Sequence, residues 1–222
     1  MDTPHPMDTT PAQPSSSSGA ATRTRQDPRG ASRRRKIFRA LHDCVLAQGY
    51  YRTTLAEIAK AADMRPSHLL YYFNGKEDIL EQYFQVVAES FVTRLASFED
   101  AEHEERILLL ADFWFRGETS TVEEIGFMLE CFGAAVHDAE LRQTKTEFDR
   151  YCKAHLVKLF TNAPANRSLR QRRDKVAQDH AEICYSMMIG LRSAVYFDAN
   201  LALADAYQLF LTNVRNMCGY PA

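Results

Sequence analysis

The sequence lacks most of the features that define membrane, secreted and fibrous proteins. No apolar run approaches the roughly 18 to 20 residues needed to cross a bilayer, and the N-terminus lacks the apolar core of a signal peptide. Glycine (9 residues) and proline (8 residues) are too few for a fibrous or low-complexity chain. With 222 residues, 45% of them hydrophobic and 25% charged, the chain can bury a core of its own. We therefore expect a globular cytoplasmic protein without a membrane partner.

Cysteine and histidine lack the spacing of a disulfide framework or a metal site. The five cysteines are odd in number, with no C-x-x-C pair, and the seven histidines do not cluster with acidic residues. We therefore predict reduced thiols, no metal and no cofactor. A redox switch and a role as small apolar core residues both stay open, and the second is favoured because free cysteine is usually buried. The cysteines are Cys44, Cys131, Cys152, Cys184 and Cys218.

The net charge of −2 hides an uneven distribution of charge along the chain. Residues 1–36 hold seven basic and three acidic residues, a net charge of +4, so the remainder carries −6. A basic end on an acidic body suits a protein in which one end meets a polyanion. A solubilising tail would have the same composition, so charge alone leaves both interpretations open.

The N-terminal third contains a tail followed by short helices. Residues 1–31 are rich in Ser, Thr, Pro, Ala and Arg without apolar periodicity, which predicts disorder. Apolar residues at helical spacing predict a first helix at about 33–48, ended by Gly49.

A pair of helices joined by a short turn comes next. Thr54 and Glu57 have the spacing of a capping box, which predicts a second helix at about 55–62. Pro66 suits the first turn of a third helix, which should end near residue 72. A joint of about three residues between two helices is typical of a helix-turn-helix.

Everything beyond this motif has a helical pattern, and no strand pattern is present. Asn74 and Glu77 form a second capping pair, which predicts a long fourth helix as far as Ser97. Apolar steps of three and four predict bundle-packing seams in the last two segments. The predicted fold is therefore all-α. The further helical segments are placed near 103–116, 121–137, 140–161, 168–196 and 200–217.

The run YRTTLAEIAKAADMRPSHLLYYFNGKEDIL strongly resembles the DNA-binding segment of the TetR family of one-component transcriptional regulators. The resemblance lies in the Thr-Thr helix opening, IAKAA, LLYYF and KEDIL, in the correct order and spacing. It covers about residues 33–80, while the rest agrees with the family only in being helical and of suitable length. Asp63 stands where the family usually has Gly, and Asp tolerates a left-handed turn. Arg65 stands where Ser or Thr usually caps the reading helix, and Arg is a poor cap.

The resemblance implies a fold and a function. A disordered basic tail at 1–31 would precede a helix-turn-helix DNA-binding domain at 32–78 and a helical effector-binding and dimerisation domain at 79–222. Such a protein binds palindromic double-stranded operator DNA as a homodimer, with half-sites about 34 to 36 Å apart or a multiple of that spacing. We expect a repressor that a small-molecule effector releases from DNA by biasing a two-state equilibrium.

Residues of the motif are expected either to position phosphates or to read bases. Arg65 and His68 can hydrogen-bond guanine, and Pro66 can touch a thymine methyl. His68 could instead cap or pack, and Tyr71 could be partly core, whereas Tyr72 resembles the family tyrosine that reaches DNA. The expected DNA contacts are Arg35, Thr53, Thr54, Arg65, Pro66, Ser67, His68, Tyr71, Tyr72 and Lys76. The expected core of the motif is Ile58, Leu69, Leu70 and Phe73.

The C-terminal part contains three further sets of candidate residues, one for a ligand pocket and two for contact with a second subunit. The resemblance implies a ligand pocket, and aromatic and methionine side chains make adaptable apolar cavities. Candidate pocket residues are Trp114, Phe115, Met128, Cys131, Phe132, Tyr151, Tyr185 and Met188. Candidate dimer residues are Ala181, Cys184, Met188, Leu191, Val195, Tyr207, Phe210 and Val214. A second apolar stripe on the first seam helix, which also suits a second subunit, is Val176, Ile183, Met187 and Ala194.

Other functional classes are also weighed. An all-helical enzyme would need a nucleophile with its base, paired acids or a metal cluster, and no such spacing is present, so we predict no enzymatic activity. A dimeric interaction protein with a vestigial DNA module is the stronger rival, against which the polar and cationic reading residues argue. An activator would share every residue with a repressor, because that difference depends on operator position.

Deletion of residues 1–32 tests the role of the basic arm. Each phosphate neutralised adds about 0.9 to the slope of log affinity against log salt concentration. The truncated protein should therefore bind DNA more weakly and with a flatter salt dependence, while its sequence preference stays the same. Mobility shifts at several salt concentrations measure this slope, and an unchanged slope would reject the arm as a phosphate-binding element.

Overall fold

The computed structural model describes residues 28–117, 120–166, 168 and 172–221. Within these ranges the regular structure is nine α-helices and one short 3-10 helix at Pro164–Asn166, which confirms the all-α prediction. Within the same ranges no helix has the length and apolar character needed to cross a bilayer. The helices are α1 (Pro28–Gln48), α2 (Leu55–Ala61), α3 (Pro66–Leu69), α4 (Lys76–Ala96), α5 (His103–Phe115), α6 (Val122–His137), α7 (Ala139–Thr161), α8 (Arg173–Phe197) and α9 (Leu203–Cys218).

Local signals set the helix-turn-helix formed by α2 and α3. The Thr54 hydroxyl accepts a hydrogen bond from the Glu57 N–H, and the Glu57 carboxylate accepts one from the Thr54 N–H at 2.8 Å, which confirms the capping box. Asp63 has a φ of 54°, the left-handed conformation expected of the turn. Helix α3 is shorter than predicted, because the Tyr71 and Tyr72 N–H groups donate to carbonyls three residues back, which tightens the chain into turns.

Two predicted helix starts are wrong. Helix α1 begins at Pro28 rather than near residue 33, since proline needs no partner for a backbone N–H in the first turn. Residues 28–31 of the predicted disordered tail are therefore helical, and the rest of the tail lies outside the described residues. Helix α4 has Gly75 as its N-cap, so the acid three residues later is Asp78, not Glu77. Asn74 accordingly donates its backbone N–H to Asp78 at 2.8 Å.

The buried apolar side chains form two clusters. The first lies in the head, the name used here for α1 to α3 with their connecting loops, and it includes the start of α4. Ile58 and Leu69 are fully buried there as predicted, and Phe73 is 2% exposed, whereas Leu70 is 52% exposed and is not core. This cluster also takes in residues from the C-terminal part, of which Phe127 and Cys131 lie on α6. The second cluster fills the bundle of α5 and α7 to α9 with the end of α4.

The seam residues predicted to meet a second subunit pack inside the chain instead. Cys184 and Val214 have no exposed surface, and Tyr207 is 4% exposed. A side chain that its own subunit buries cannot also meet a partner, so this part of the interface prediction is wrong. The only half-buried member of the set is Leu191. The buried members are Ala181, Cys184, Met188, Val195, Tyr207, Phe210 and Val214.

Truncation of Phe73 should destabilise the head strongly. The ring lies 5.6 Å from the Phe38 ring, and the Arg34 guanidinium stacks on it at 5.1 Å. Phe73→Ala should therefore cost about 3 to 5 kcal/mol of unfolding free energy. Tyr71→Ala is the matched control, because Tyr71 is 83% exposed and its loss should change stability by no more than about 0.5 kcal/mol. Urea denaturation of both variants measures the difference, and equal losses would contradict the assigned burial.

Candidate DNA-binding surface and ligand cavity

The first residues of α3 form an exposed surface. Arg65, Pro66, Ser67 and His68 are all exposed, while Leu69 behind them is buried in the head. Arg65 is the N-cap residue and makes no side-chain cap hydrogen bond, so its guanidinium contributes nothing to the helix start. The four predicted base-reading residues are therefore all accessible to solvent at the start of α3.

Basic side chains surround this exposed edge of α3. Arg33 donates to the Tyr72 hydroxyl at 3.0 Å, and Lys36 pairs with Asp63 at 3.5 Å, so the N-terminal half of α1 lies beside the turn and the end of α3. Lys60 lines a shallow concavity beside Arg65 and His68. Sequence reasoning missed Lys60, although its place on the exposed side of α2, opposite two buried residues, could have shown it.

Two predicted phosphate contacts have other partners in the structure. Thr53 is 1% exposed and its hydroxyl donates to the Gly49 carbonyl at 2.9 Å, so it holds the loop and is closed to solvent. Lys76 is half-buried, and its ammonium donates to the Tyr50 carbonyl at 3.0 Å and lies 4.3 Å from the Tyr50 ring centre. Thr54 remains exposed, with its hydroxyl in the capping box.

The other predicted DNA contacts lie at or near the exposed edge. Arg35 is exposed on α1. Tyr71 is 83% exposed, which rules out the partly core interpretation, and its ring packs edge-on against Tyr72 at 5.1 Å. Tyr72 is half-buried with its hydroxyl bonded to Arg33. The surface therefore combines hydroxyl, imidazole and guanidinium groups.

A cavity of about 120 Å³ lies between α4, α6, α7 and α8, with Trp114 of α5 in its wall. Its wall is mainly aromatic and aliphatic, and Glu124 and Arg192 are its charged residues. For scale, an apolar cavity of about 150 Å³ can bind benzene, so this one suits a small molecule. Of the predicted pocket residues, those in the wall are Trp114, Met128, Cys131, Phe132 and Tyr185.

The remaining predicted pocket residues lie outside the cavity wall. Phe115 packs on Phe210 at 5.2 Å, Tyr151 donates its hydroxyl to the Val92 carbonyl at 3.3 Å, and Met188 is 2% exposed. Sequence reasoning named no wall residue on α4 and neither of the two charged residues. Wall residues missed in this way are Tyr83, Phe84, Val87, Ala88, Phe91, Glu124, Phe127, Phe148, Ile189 and Arg192.

The charged groups of the cavity are held by specific partners. Arg192 is 3% exposed and donates to the Trp114 carbonyl at 2.5 Å, and burial lowers the pKa of its guanidinium to about 10. Glu124 lies 3.0 Å from His42 Nε2, with His42 on α1 of the head. The hydrogen bond to Glu124 raises the pKa of His42 above its ordinary value, against the opposing effect of burial.

The cysteines are chiefly core residues. Cys131, Cys152, Cys184 and Cys218 are buried and Cys44 is half-buried, all as free thiols. Burial raises the pKa of Cys152 and Cys218 to about 12, which keeps these thiols protonated and poorly reactive. The apolar interpretation therefore fits the structure better than a redox switch.

The short helices α2 and α3, with an exposed polar edge on α3 and a buried core behind it, are the arrangement of a helix-turn-helix DNA-binding motif. The family comparison agrees. Residues 37–83 match the family described as bacterial regulatory proteins of the tetR family, and residues 103–219 match the C-terminal region of BetI-type transcriptional repressors. The chain belongs to the TetR family of transcriptional regulators. No curated protein sequence matches it.

Solved structures share the fold at low sequence identity. A TetR transcription regulator from Haloarcula marismortui has a TM-score of 0.69 at 16% identity, covering 85% of this chain and 97% of its own. A regulator from Saccharomonospora viridis in complex with choline has a TM-score of 0.68 at 16% identity, covering 84% and 96%. The reduced form of NemR from Escherichia coli has a TM-score of 0.66 at 15% identity, covering 86% and 100%.

Substitution of Arg65 by Ser should separate stability from DNA binding. A serine N-cap can accept a hydrogen bond that Arg65 does not, so Arg65→Ser should stabilise the protein by about 0.5 to 2 kcal/mol. The same change removes a guanidinium from the exposed edge, so DNA affinity should fall. Thermal unfolding and fluorescence anisotropy measure the two effects, and changes of the same sign would show that Arg65 acts mainly through the helix start.

Proposed function

We propose that this protein is a ligand-responsive repressor that binds palindromic operator DNA as a homodimer and releases it when a small organic cation fills the cavity. One observation carries the proposal. Phe127 and Cys131 of α6 line the cavity and also belong to the buried cluster of the head. Because protein interiors are close-packed, a shift of this wall when the cavity is filled is passed on to the support of the DNA-binding surface.

The cavity wall supports a cation as the effector class. Aromatic faces attract cations, most strongly where water is excluded, and Glu124 supplies a negative charge. Arg192 keeps its positive charge at neutral pH and is the wall residue that opposes a cation, with its guanidinium held by the Trp114 carbonyl. The match to BetI-type repressors and the choline in a structural neighbour are consistent with this class. The aromatic wall residues are Tyr83, Phe84, Phe91, Trp114, Phe127, Phe132, Phe148 and Tyr185.

An exposed apolar stripe along α8 supports a dimer. This stripe replaces, as the proposed interface, the predicted dimer residues that are buried within the chain. Its members follow steps of four and three along the helix, which is the spacing of a packing seam between helices. Ile183 is 55% exposed and Phe197 is 74% exposed, so neither apolar side chain is buried within a single chain. A Cβ added at Gly190 would meet no atom within 4 Å, so a partner helix has room to approach there. The stripe is Ile183, Met187, Gly190, Ala194 and Phe197, beside the 48% exposed Leu209 of α9.

The proposed domains keep the bounds expected from the sequence. We keep residues 32–78 as the DNA-binding domain and 79–222 as the effector-binding and dimerisation domain. Helix α6 then belongs to the second domain by sequence and to both by packing.

Light scattering tests the proposed dimer. A measured mass equal to that of a single chain at micromolar concentration would contradict it.

Selection of DNA from random duplexes by the full-length protein tests the proposal. The protein should enrich an inverted repeat, and choline, used as the cation probe, should lower its affinity for that duplex. Trp114 is the chain's single tryptophan and lies in the cavity wall, so its fluorescence should report binding of the probe. The neutral analogue 3,3-dimethylbutanol, which has the same shape without the charge, is the control. Failure to enrich any sequence would contradict the proposed role as a DNA-binding regulator. Equal effects of the two compounds on DNA affinity would contradict a cation as the effector.

A further inference from the structure

A single ion pair joins the head to the wall of the cavity. His42 lies on α1, and its Nε2 is 3.0 Å from a carboxylate oxygen of Glu124, which lines the cavity from α6. The His42 ring also packs on Phe127 of α6 with ring centres 4.6 Å apart. Within the described part of the chain, no other ion pair links the head with α5 to α9.

Helix α6 holds the head at a second place. The Tyr50 N–H donates to Glu130 at 2.9 Å, and the Tyr51 hydroxyl donates to the Gly133 carbonyl at 3.3 Å. Both residues lie in the loop between α1 and α2, just before the capping box of the helix-turn-helix. The 16 residues of α6 span about 24 Å as a helix, so the ion pair and the loop contacts are fixed on one rigid body.

We propose that Glu124 passes the occupancy of the cavity to the head, because a cation bound in the cavity competes with His42 for its carboxylate. The inference rests on the proposed function for the existence of DNA binding and of an effector. In the empty protein, His42 contacts the Glu124 carboxylate and holds α1 against α6. When a cation takes over the carboxylate, α1 loses that contact, and the DNA-binding surface loses its fixed orientation.

The cavity and its surroundings favour competition over simple addition. The space is about 120 Å³ and Glu124 forms part of its wall, so a bound cation lies close to the carboxylate. The electrostatic field of the bound cation is strong at the carboxylate, because the surrounding wall is mostly apolar. The other charged and titratable groups near His42 are Asp43 on its own helix at 3.6 Å and Tyr83 on α4, while Arg192 on α8 and Cys131 on α6 interact with Glu124.

The pair also makes the contact sensitive to pH. The pKa of His42 is raised in the folded chain, so its stabilising charge is fully present below the ordinary histidine pKa and is lost as pH rises through the raised value. DNA affinity of the wild type should therefore fall as pH rises from below the ordinary histidine pKa of about 6.5 through the raised value. His42→Gln, which keeps a hydrogen-bond donor without the charge, should show a smaller fall.

Three variants of the full-length protein test the inference. Glu124→Gln removes the carboxylate charge with little change of shape, and His42→Gln removes its partner. Lys153→Gln is the matched control, since Lys153 pairs with Glu182 at 2.7 Å between α7 and α8, and neither residue lines the cavity. Affinity for the selected duplex and hydrogen exchange of residues 28–54 are measured without a ligand, and circular dichroism checks folding.

Each Gln variant at the pair should lower DNA affinity at least about fivefold, the lower end of the roughly 5- to 150-fold range of allosteric coupling. The double variant should lose no more than either single one, because both remove the same contact. Exchange of residues 28–54 should rise in these variants and not in the control. If Glu124→Gln fails to fold, Glu124→Asp, whose shorter side chain withdraws the carboxylate, replaces it.

Two results overturn the inference: pair variants that match Lys153→Gln in both affinity and exchange, or losses that add in the double variant. A wild type that selects no DNA contradicts the proposed function instead. In that case the exchange data alone decide whether Glu124 holds the head.

Discussion

The packing of α6 between two hydrophobic cores is the constraint on which the rest of the structure depends. Met128 and Phe132 of the helix line the apolar cavity, Ala134 and Ala135 belong to the core of the head, and Phe127 and Cys131 belong to both. Protein interiors are close-packed, so a change on one side of such a helix cannot be absorbed without movement on the other. In the proposed function, this packing connects the cavity to the DNA-binding surface through a single helix.

Helix α3 shows how close packing gives neighbouring residues different roles. Leu69 and Phe73 are buried and fix the position of α3, while the residues between Arg65 and His68 face solvent. Burial of a large apolar side chain is worth about 1.5 to 3 kcal/mol, so a few anchors suffice to hold a helix of one turn. The exposed residues are then under little structural demand and can differ according to the DNA that is read.

Local chemistry decided which parts of this molecule the sequence could predict. The Thr54 and Glu57 capping box, the left-handed Asp63 and Pro66 at the helix start act within a few residues, so the helix-turn-helix was predictable in type and place. The cavity was predictable only in part, because its wall brings together five helices distant in sequence. Periodicity gave two apolar stripes on α8 but could not tell which one the chain itself buries. Thr53 and Thr54 likewise share a chemistry, and only the fold shows that the first is closed to solvent.

The coupling between cavity and reading surface is the central claim, and thermodynamic linkage offers its most direct test. If choline lowers DNA affinity by some factor, bound DNA must lower choline affinity by the same factor. Titration of Trp114 fluorescence with choline, in the presence and absence of the selected duplex, measures this factor from the cavity side. We expect weaker choline binding in the presence of DNA, and a much smaller difference in Glu124→Gln. Choline binding of the same strength with and without DNA would contradict the account.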